Sequence, residues 1–339
     1  MPDEKITPLS TIMQRLPTFR MRRLKLKDAL QIEIVILVMI IFGVLLPQSA
    51  PDMLEYFIPL GKGCFSCAFN PWYTSWLFFP FTLIPFVILR PLWAGVTTAS
   101  FLWASNKLGS KWWVVVLAFP MVAQLWLGQV DAFVVVGLVL ALCSKNPYVR
   151  GIGIVLASIK PQNSAIAILI LLWHDDQRWK TLIVPAAVFA ASLIVWGLWP
   201  IQWAQQMLDI KLTFTRVPEW NKAAIYPYGL VFFPTILLFK TARDRITTAL
   251  LVSALALPWF GVYAYTVFLV FFAPWWAVPL SYLWLIGLPF FGGAAIRIAW
   301  ILPLSLLGTM LYPRIREWWE KRRNQPADLP AQPDSIGEL

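Results

Sequence analysis

The sequence predicts an all-α protein, a polytopic bundle of about ten membrane helices that includes short, broken or re-entrant ones. Three observations predict it. Of the 339 residues, 59% are hydrophobic and only 13% charged, whereas a soluble domain carries about a quarter charged. The apolar residues come in runs (Ile32–Leu46, Trp113–Leu127, Thr181–Trp199 and Ala295–Leu311), near the ~20 residues a crossing needs. Basic residues cluster beside these runs, as the positive-inside rule requires of cytoplasmic segments. In lipid the backbone must satisfy its own hydrogen bonds, so the runs are helices. The alternating pattern of a membrane barrel is absent. The 20 Trp suit anchoring at headgroups.

Residues 1–30 carry Arg15, Arg20, Arg22, Arg23, Lys25 and Lys27 and read as a cytoplasmic basic segment resting near anionic lipid. No small-residue cleavage site follows a short apolar core, so no signal peptide is predicted. The membrane domain is expected over 31–312. Its first span, about 31–47, leads to an outer loop over about 48–71. Arg90-Pro91 is expected to split 72–105 into two short helices that make one net crossing. Trp113–Leu127 runs outward, Gly128-Gln129 turns, and 130–143 returns to Lys145 and Arg150. Over 150–173, basic residues at both ends call for the inside, and Ile159-Lys160-Pro161-Gln162-Asn163 interrupts the middle. Each half, about a dozen residues or roughly 18 Å of helix, is too short to span. The prediction is two short helices meeting at Lys160-Pro161 within the protein.

Residues 180–199 lead to a second outer loop, about 200–222. A span over about 223–239 ends at Lys240, Arg243 and Arg245. Four helices follow over 246–312, broken at Pro258, Pro274 and Pro289. The segment 313–339 begins with Arg314, Arg316, Lys321, Arg322 and Arg323 and ends in a Pro-rich polar tail expected to be disordered. Both termini are expected on the cytoplasmic side of the plasma membrane. The net charge of +11 is explained by topology, so nucleic acid is not an expected partner, whereas membrane lipid is.

Few residues offer chemistry. Asp52, Glu55 and Tyr56 lie just beyond the outer end of the first span, where a carboxylate can act as a general base or simply be a solvated loop charge. Lys160, in the middle of an apolar segment, needs an anion, backbone carbonyls or water, and a lipid-linked phosphate would serve. Gln129 and Asp131 occupy a hairpin tip, where polar residues are needed in any case. Lys211, Arg216 and Glu219 read as ordinary loop charges. Cys64 and Cys67 form one C-x-x-C with no second pair, which leaves zinc unsupported and leaves a disulfide and free thiols both open. Cys143 is expected to be buried. His174-Asp175-Asp176 reads as a solvated polar cap beside Arg178 and Lys180. No phosphate loop, dinucleotide fingerprint or Ser-His-Asp set is present.

The stretches LGQVDAFVVVGLVLAL (127–142) and RGIGIVLASIKPQNSAIAILILL (150–172) resemble glycosyltransferase family 87, membrane enzymes of the GT-C superfamily. A Gly-Gln at a hairpin tip is followed by an apolar helix, then by a small-residue helix ending in Lys-Pro. APDMLEYFIPLGKG resembles that family's first outer loop, with an Asp followed by a Tyr four residues on. NPWYTSWLFFPFTLIPF resembles the Pro-rich segment after it, and WNKAAIYPYGL and LPWFGVYAYTVFLVF resemble later segments. The Asn-Gln-Ser pattern of the family's second outer loop is not intact.

The resemblance implies a GT-C fold with its site at the outer membrane face. It implies inverting transfer of a sugar, such as mannose, from a polyprenyl-phosphate donor to a lipid or glycan hydroxyl. Asp52 would be the base and Lys160 the cation meeting the leaving phosphate. Tyr56, Gln129 and Gln162 would contact substrate. No cofactor or metal is implied, since a divalent ion needs more oxygen ligands than one or two carboxylates. Two other readings compete. One is a transporter built on the broken 150–173 element, which predicts repeated halves that the sequence lacks. The other is a non-catalytic subunit of the same fold.

Overall fold

The structure, a computed structural model, describes residues 26–46, 50–212, 222–257 and 260–323. The charged residues before 26, Arg216 and Glu219 of the second loop, Pro258 and the polar tail lie outside them. Every regular element among the described residues is helical.

The first helix, α1, covers Leu26–Leu45. After Ala50 the chain makes a π-helical turn, Met53–Phe57, continuing as Ile58–Gly61. The long helix α2, Phe86–Leu108, runs unbroken through Pro91. The expected split at Arg90-Pro91 is therefore displaced to Ile84-Pro85, where Ile84 is extended (φ −94°, ψ 127°), the conformation a following proline imposes. Pro91, near the start of α2, costs the helix one hydrogen bond. Arg90 is turned instead across the end of α1, donating to the carbonyls of Gly43, Val44 and Leu46. Those carbonyls have no partner within their own helix, and a cation at a helix C-terminus is favourable.

Helices α3, Phe119–Leu127, and α4, Asp131–Cys143, meet at a bend of 118°. Gly128 makes the bend with φ +70°, a conformation open to glycine at no steric cost. Helices α5, Pro147–Ala157, and α6, Pro161–His174, are the two halves of the broken element. Backbones of α4 and α5 touch at paired glycines. A Cβ on Gly137 would lie 2.4 Å from Ala157 N, and one on Gly153 would lie 2.5 Å from Gly137 O. Such small-residue contacts let membrane helices approach closely.

Helix α7, Arg178–Trp196, is long and apolar, yet only 11% of its most apolar stretch is buried by protein. A surface this apolar and this open fits lipid contact. Helix α8 covers Trp199–Leu212, at the start of the segment expected to be the second outer loop. The expected span at 223–239 is shorter than anticipated. It is a 3-10 helix over Tyr228–Leu238, carrying Pro234. Helix α9, Ala242–Ala256, is buried over most of its length and forms the centre of the bundle with α10, Tyr265–Phe271. Pro289 lies inside a helix, Trp284–Phe291, and the break falls instead at Gly292, with φ +54°. The last helix, α11, covers Ile301–Arg323.

Among the described residues, three stretches can by length and composition cross a membrane: Phe86–Leu108, Arg178–Trp196 and the run Ala277–Glu320. The bent pair α3–α4 makes a fourth if counted as one span. The chain is thus an all-helical protein with three or four helices that could span a membrane, and the rest of the expected ten or so membrane helices are not established by helix length. The other apolar helices are too short because proline and glycine interrupt them.

Two smaller expectations are corrected. Cys143, at the end of α4, is exposed, not buried. Asp175 is not solvated: it pairs with Arg150 at 2.9 Å, both side chains at or below 10% exposed, and accepts from Thr181 Oγ1 at 2.5 Å. With Arg245 Nη1 3.2 Å from His174 Nε2, this clamp ties α5, α6, α7 and α9 together at one end.

Candidate functional site

Three interruptions of helical structure converge at the other end of the bundle. They are the turn after α1, the bend between α3 and α4, and the break between α5 and α6. Local sequence explains each. Ala50 takes φ +63° and donates its N–H to Trp126 O at 2.5 Å. A Cβ on Gly128 would lie 2.7 Å from the Cβ of Ala50, so the first loop can rest on the bend only because residue 128 is glycine. This contact carries Asp52 over Gln129. At the break, Pro161 keeps Lys160 out of the helical region (φ −123°, ψ 81°). Proline at the first helical position also brings no N–H needing a partner.

The side chains that meet here form a continuous polar chain. Asp52 accepts from Gln129 Nε2, and Gln129 Oε1 accepts from Lys160 Nζ. Lys160 Nζ is 2.9 Å from Asp131 Oδ2 and 4.5 Å from the centre of the Tyr263 ring. Asp131 also accepts from Asn163 Nδ2 at 2.6 Å and from Gln124 Nε2 at 2.8 Å. Asp131 is the first residue of α4 and Asn163 lies in the first turn of α6. A carboxylate at a helix N-terminus is favoured by unpaired N–H groups and the helix dipole. The buried lysine is thus neutralised from inside the protein.

Burial differs along this chain. Asp131, Gln129 and Lys160 are 0%, 2% and 4% exposed, whereas Asp52 is only half-buried. Burial pushes the Asp52 carboxyl up to about 6, against the pull of Lys160, with Glu55 and Asp131 adding to the rise. Tyr56, also half-buried, has its hydroxyl pushed up by burial and then by the charges of Asp52 and Glu55.

The surrounding backbone is held by side chains of the first loop. Asn70 Nδ2 donates to Ile159 O at 2.8 Å, and Tyr73 OH lies 2.7 Å from Ser158 Oγ. Burial pushes the Tyr73 hydroxyl up to about 12. Trp93 Nε1 donates to Gln129 O at 3.2 Å. Cys64 and Cys67 are disulfide-bonded. Their loop is strapped to α8 by Trp203 Nε1 on Phe69 O and by Gln206 on Ser66 O and Ala68 O.

Beside the break lies an apolar groove of about 720 Å³, lined among others by Tyr73, Ser158, Pro161, Ile183, Phe189 and Trp199. Pro161 directly follows Lys160 in sequence.

Of the residues singled out from sequence, the structure brings Asp52, Gln129 and Lys160 into one chain and sets Tyr56 beside Asp52. Gln162 is half-buried in the first turn of α6, and no hydrogen bond of its side chain joins it to the cluster. Lys160 is not a free cation, because Gln129 and Asp131 occupy two of its three donors. Sequence reasoning missed Asp131 as the counter-ion, and with it Asn163 and Gln124. The usable signal was that a lysine in an apolar segment needs an anion, and Asp131 opens an otherwise apolar helix. Among the described residues no group of three or more His, Cys, Asp or Glu is placed to hold a metal ion. No protein-family model, curated protein or solved structure matches the chain.

Proposed function

We propose that the chain is an inverting membrane glycosyltransferase of the GT-C type. It would move a hexose such as mannose from a polyprenyl-phosphate donor to a lipid or glycan hydroxyl at the outer face of the plasma membrane, with both termini cytoplasmic. The observation that carries this reading is one half-buried carboxylate, Asp52, at the mouth of a buried polar chain; an apolar groove is lined by Ser158 and Pro161, on either side of the Lys160 break in sequence. A general base must be ionised at the working pH yet as basic as that allows. A carboxyl near 6 meets both conditions. The groove has the character an isoprenoid tail requires, and the resemblance of 127–172 to family 87 points the same way.

In this mechanism the acceptor O–H gives its proton to Asp52. Its oxygen attacks the anomeric carbon from the face opposite the phosphate. The bond from that carbon to the phosphate oxygen breaks, and polyprenyl phosphate leaves with the electron pair. Lys160 acts by its field and not by contact, since its ammonium is already paired with Asp131.

The test is sugar transfer in membranes containing the wild type or Asp52→Asn at equal expression. Loss of a general base costs about 10²–10⁴-fold, and a fall of that size is expected. Equal transfer by both would remove Asp52 from the mechanism. No transfer by either, across several sugars and acceptors, would favour the non-catalytic or transporter readings.

A further inference from the structure

The orientation of the Gln129 amide is set by its neighbours. A lysine ammonium only donates, so the amide oxygen must face Lys160 and the NH2 must face Asp52. Asp131 fixes the ammonium in turn, at 2.9 Å, and is itself fixed by Asn163 and Gln124. The NH2 therefore lies on Oδ2 of Asp52. A proton on that oxygen would face a donor with nothing to accept it. Hydrogen bonding to the charged form of a carboxylate also favours that form.

We propose that Gln129 is a positioning residue for Asp52: held by Lys160 and Asp131, its amide occupies Oδ2 and leaves Oδ1 as the oxygen that takes the acceptor's proton. This rests on the glycosyltransferase reading for its use, but not for its geometry. The charged and titratable groups around Asp52 are Glu55 and Tyr56 from its own turn, Lys160 from the break, Asp131 from α4 and Tyr263 ahead of α10. Among the described residues, the donor on Oδ2 is the Gln129 amide. The resemblance alone would make Gln129 a substrate contact, and the two roles give different results.

The experiment uses the full chain in detergent or membranes, as wild type and as Gln129→Met, which keeps the volume and removes the amide. The pH dependence of carbodiimide labelling at Asp52, read by mass spectrometry, reports protonation without requiring activity. The labelling midpoint is expected to rise by about one pH unit in the variant, as expected when the ionised form loses a donor. The acid limb of kcat should move up by the same amount, with KM for a polyprenyl-phosphate sugar within about twofold of wild type. An unmoved midpoint, or a large rise in KM with an unmoved acid limb, would overturn the proposal. If Gln129→Met does not accumulate, Gln129→Asn, whose shorter amide cannot span Asp52 and Lys160, is expected to shift the midpoint the same way, and its failure to do so counts equally against it. A midpoint shifted in the variant, together with a wild type that transfers no sugar, would sink the enzymatic reading and leave the positioning role standing. Transfer with an unshifted midpoint would do the reverse.

Discussion

Removing either member of the Lys160–Asp131 pair should destabilise the protein strongly, and removing both should cost much less than the sum. At 2.9 Å two unit charges in a medium of effective dielectric near 20 attract by about 6 kcal/mol. The side chains are only 5% and 0% exposed, so each ion has lost hydration worth several kcal/mol, and the attraction roughly offsets that loss. Taking one partner away leaves the other's desolvation uncompensated, which costs about 3–5 kcal/mol. Lys160→Met should fall at the lower end, because Asp131 keeps Asn163 and Gln124 as donors. Asp131→Leu should fall at the upper end, because Lys160 keeps only Gln129 and the Tyr263 ring. In the double variant the remaining cost is that of amides left without partners, about 4 kcal/mol in all against about 8 for the singles summed. Unfolding by sodium dodecyl sulfate in mixed micelles, followed by tryptophan fluorescence, measures all four proteins. Near-neutral singles, or a double equal to the sum, would refute the argument that this pair is buried and mutually compensated.

Two further outcomes follow from local geometry. Gly153→Ala places a Cβ 2.5 Å from Gly137 O and 2.7 Å from Ala141 N, so α4 and α5 must separate; a loss of about 3 kcal/mol is expected, while Gly308→Ala in α11, with nothing within 4 Å, should be neutral or stabilising in the same unfolding assay. Opening the Cys64–Cys67 disulfide, which closes a loop of sequence separation 3, should cost about 2 kcal/mol by the chain-entropy argument, and faster hydrogen exchange over residues 61–73 than elsewhere is the expected signature.

The membrane character of the chain was legible because composition alone reports it. The break at Lys160-Pro161 was legible because proline acts on its immediate neighbour, a constraint that needs no tertiary information. The same rule was misapplied at Arg90-Pro91. There Pro91 sits early in a helix that tolerates it, and the break falls one proline earlier. Helix lengths were not legible, because a run of apolar residues does not reveal whether its helix continues. Residues 228–238 are apolar, and yet they form a 3-10 segment through Pro234. Asp131 was hidden for a different reason. Its partner is 29 residues away, and only the folding of α4 against α5 and α6 brings them together. A hairpin-tip aspartate and a core aspartate look alike in sequence.

The charge of the assembled cluster bears on why Asp52, and not Asp131, faces outward as the candidate base. Two carboxylates share one ammonium, so with Asp52 ionised the group carries one net negative charge. Asp131 has the lysine at 2.9 Å and two amide donors, which hold its oxygens as acceptors and shut it from solvent. Asp52 has one amide donor and reaches the surface. The charge left uncompensated therefore sits on the carboxylate that is open to solvent. In the proposed reaction, taking up the acceptor's proton would make the cluster neutral, which a poorly hydrated site favours. The same logic limits how far burial can go. A carboxyl near 6 is about nine-tenths ionised at neutral pH, whereas one buried as completely as Asp131, but without a lysine of its own, would hold its proton and could not act as a base. The half-buried position of Asp52, set by Ala50 resting on Gly128, keeps it on the useful side of that limit.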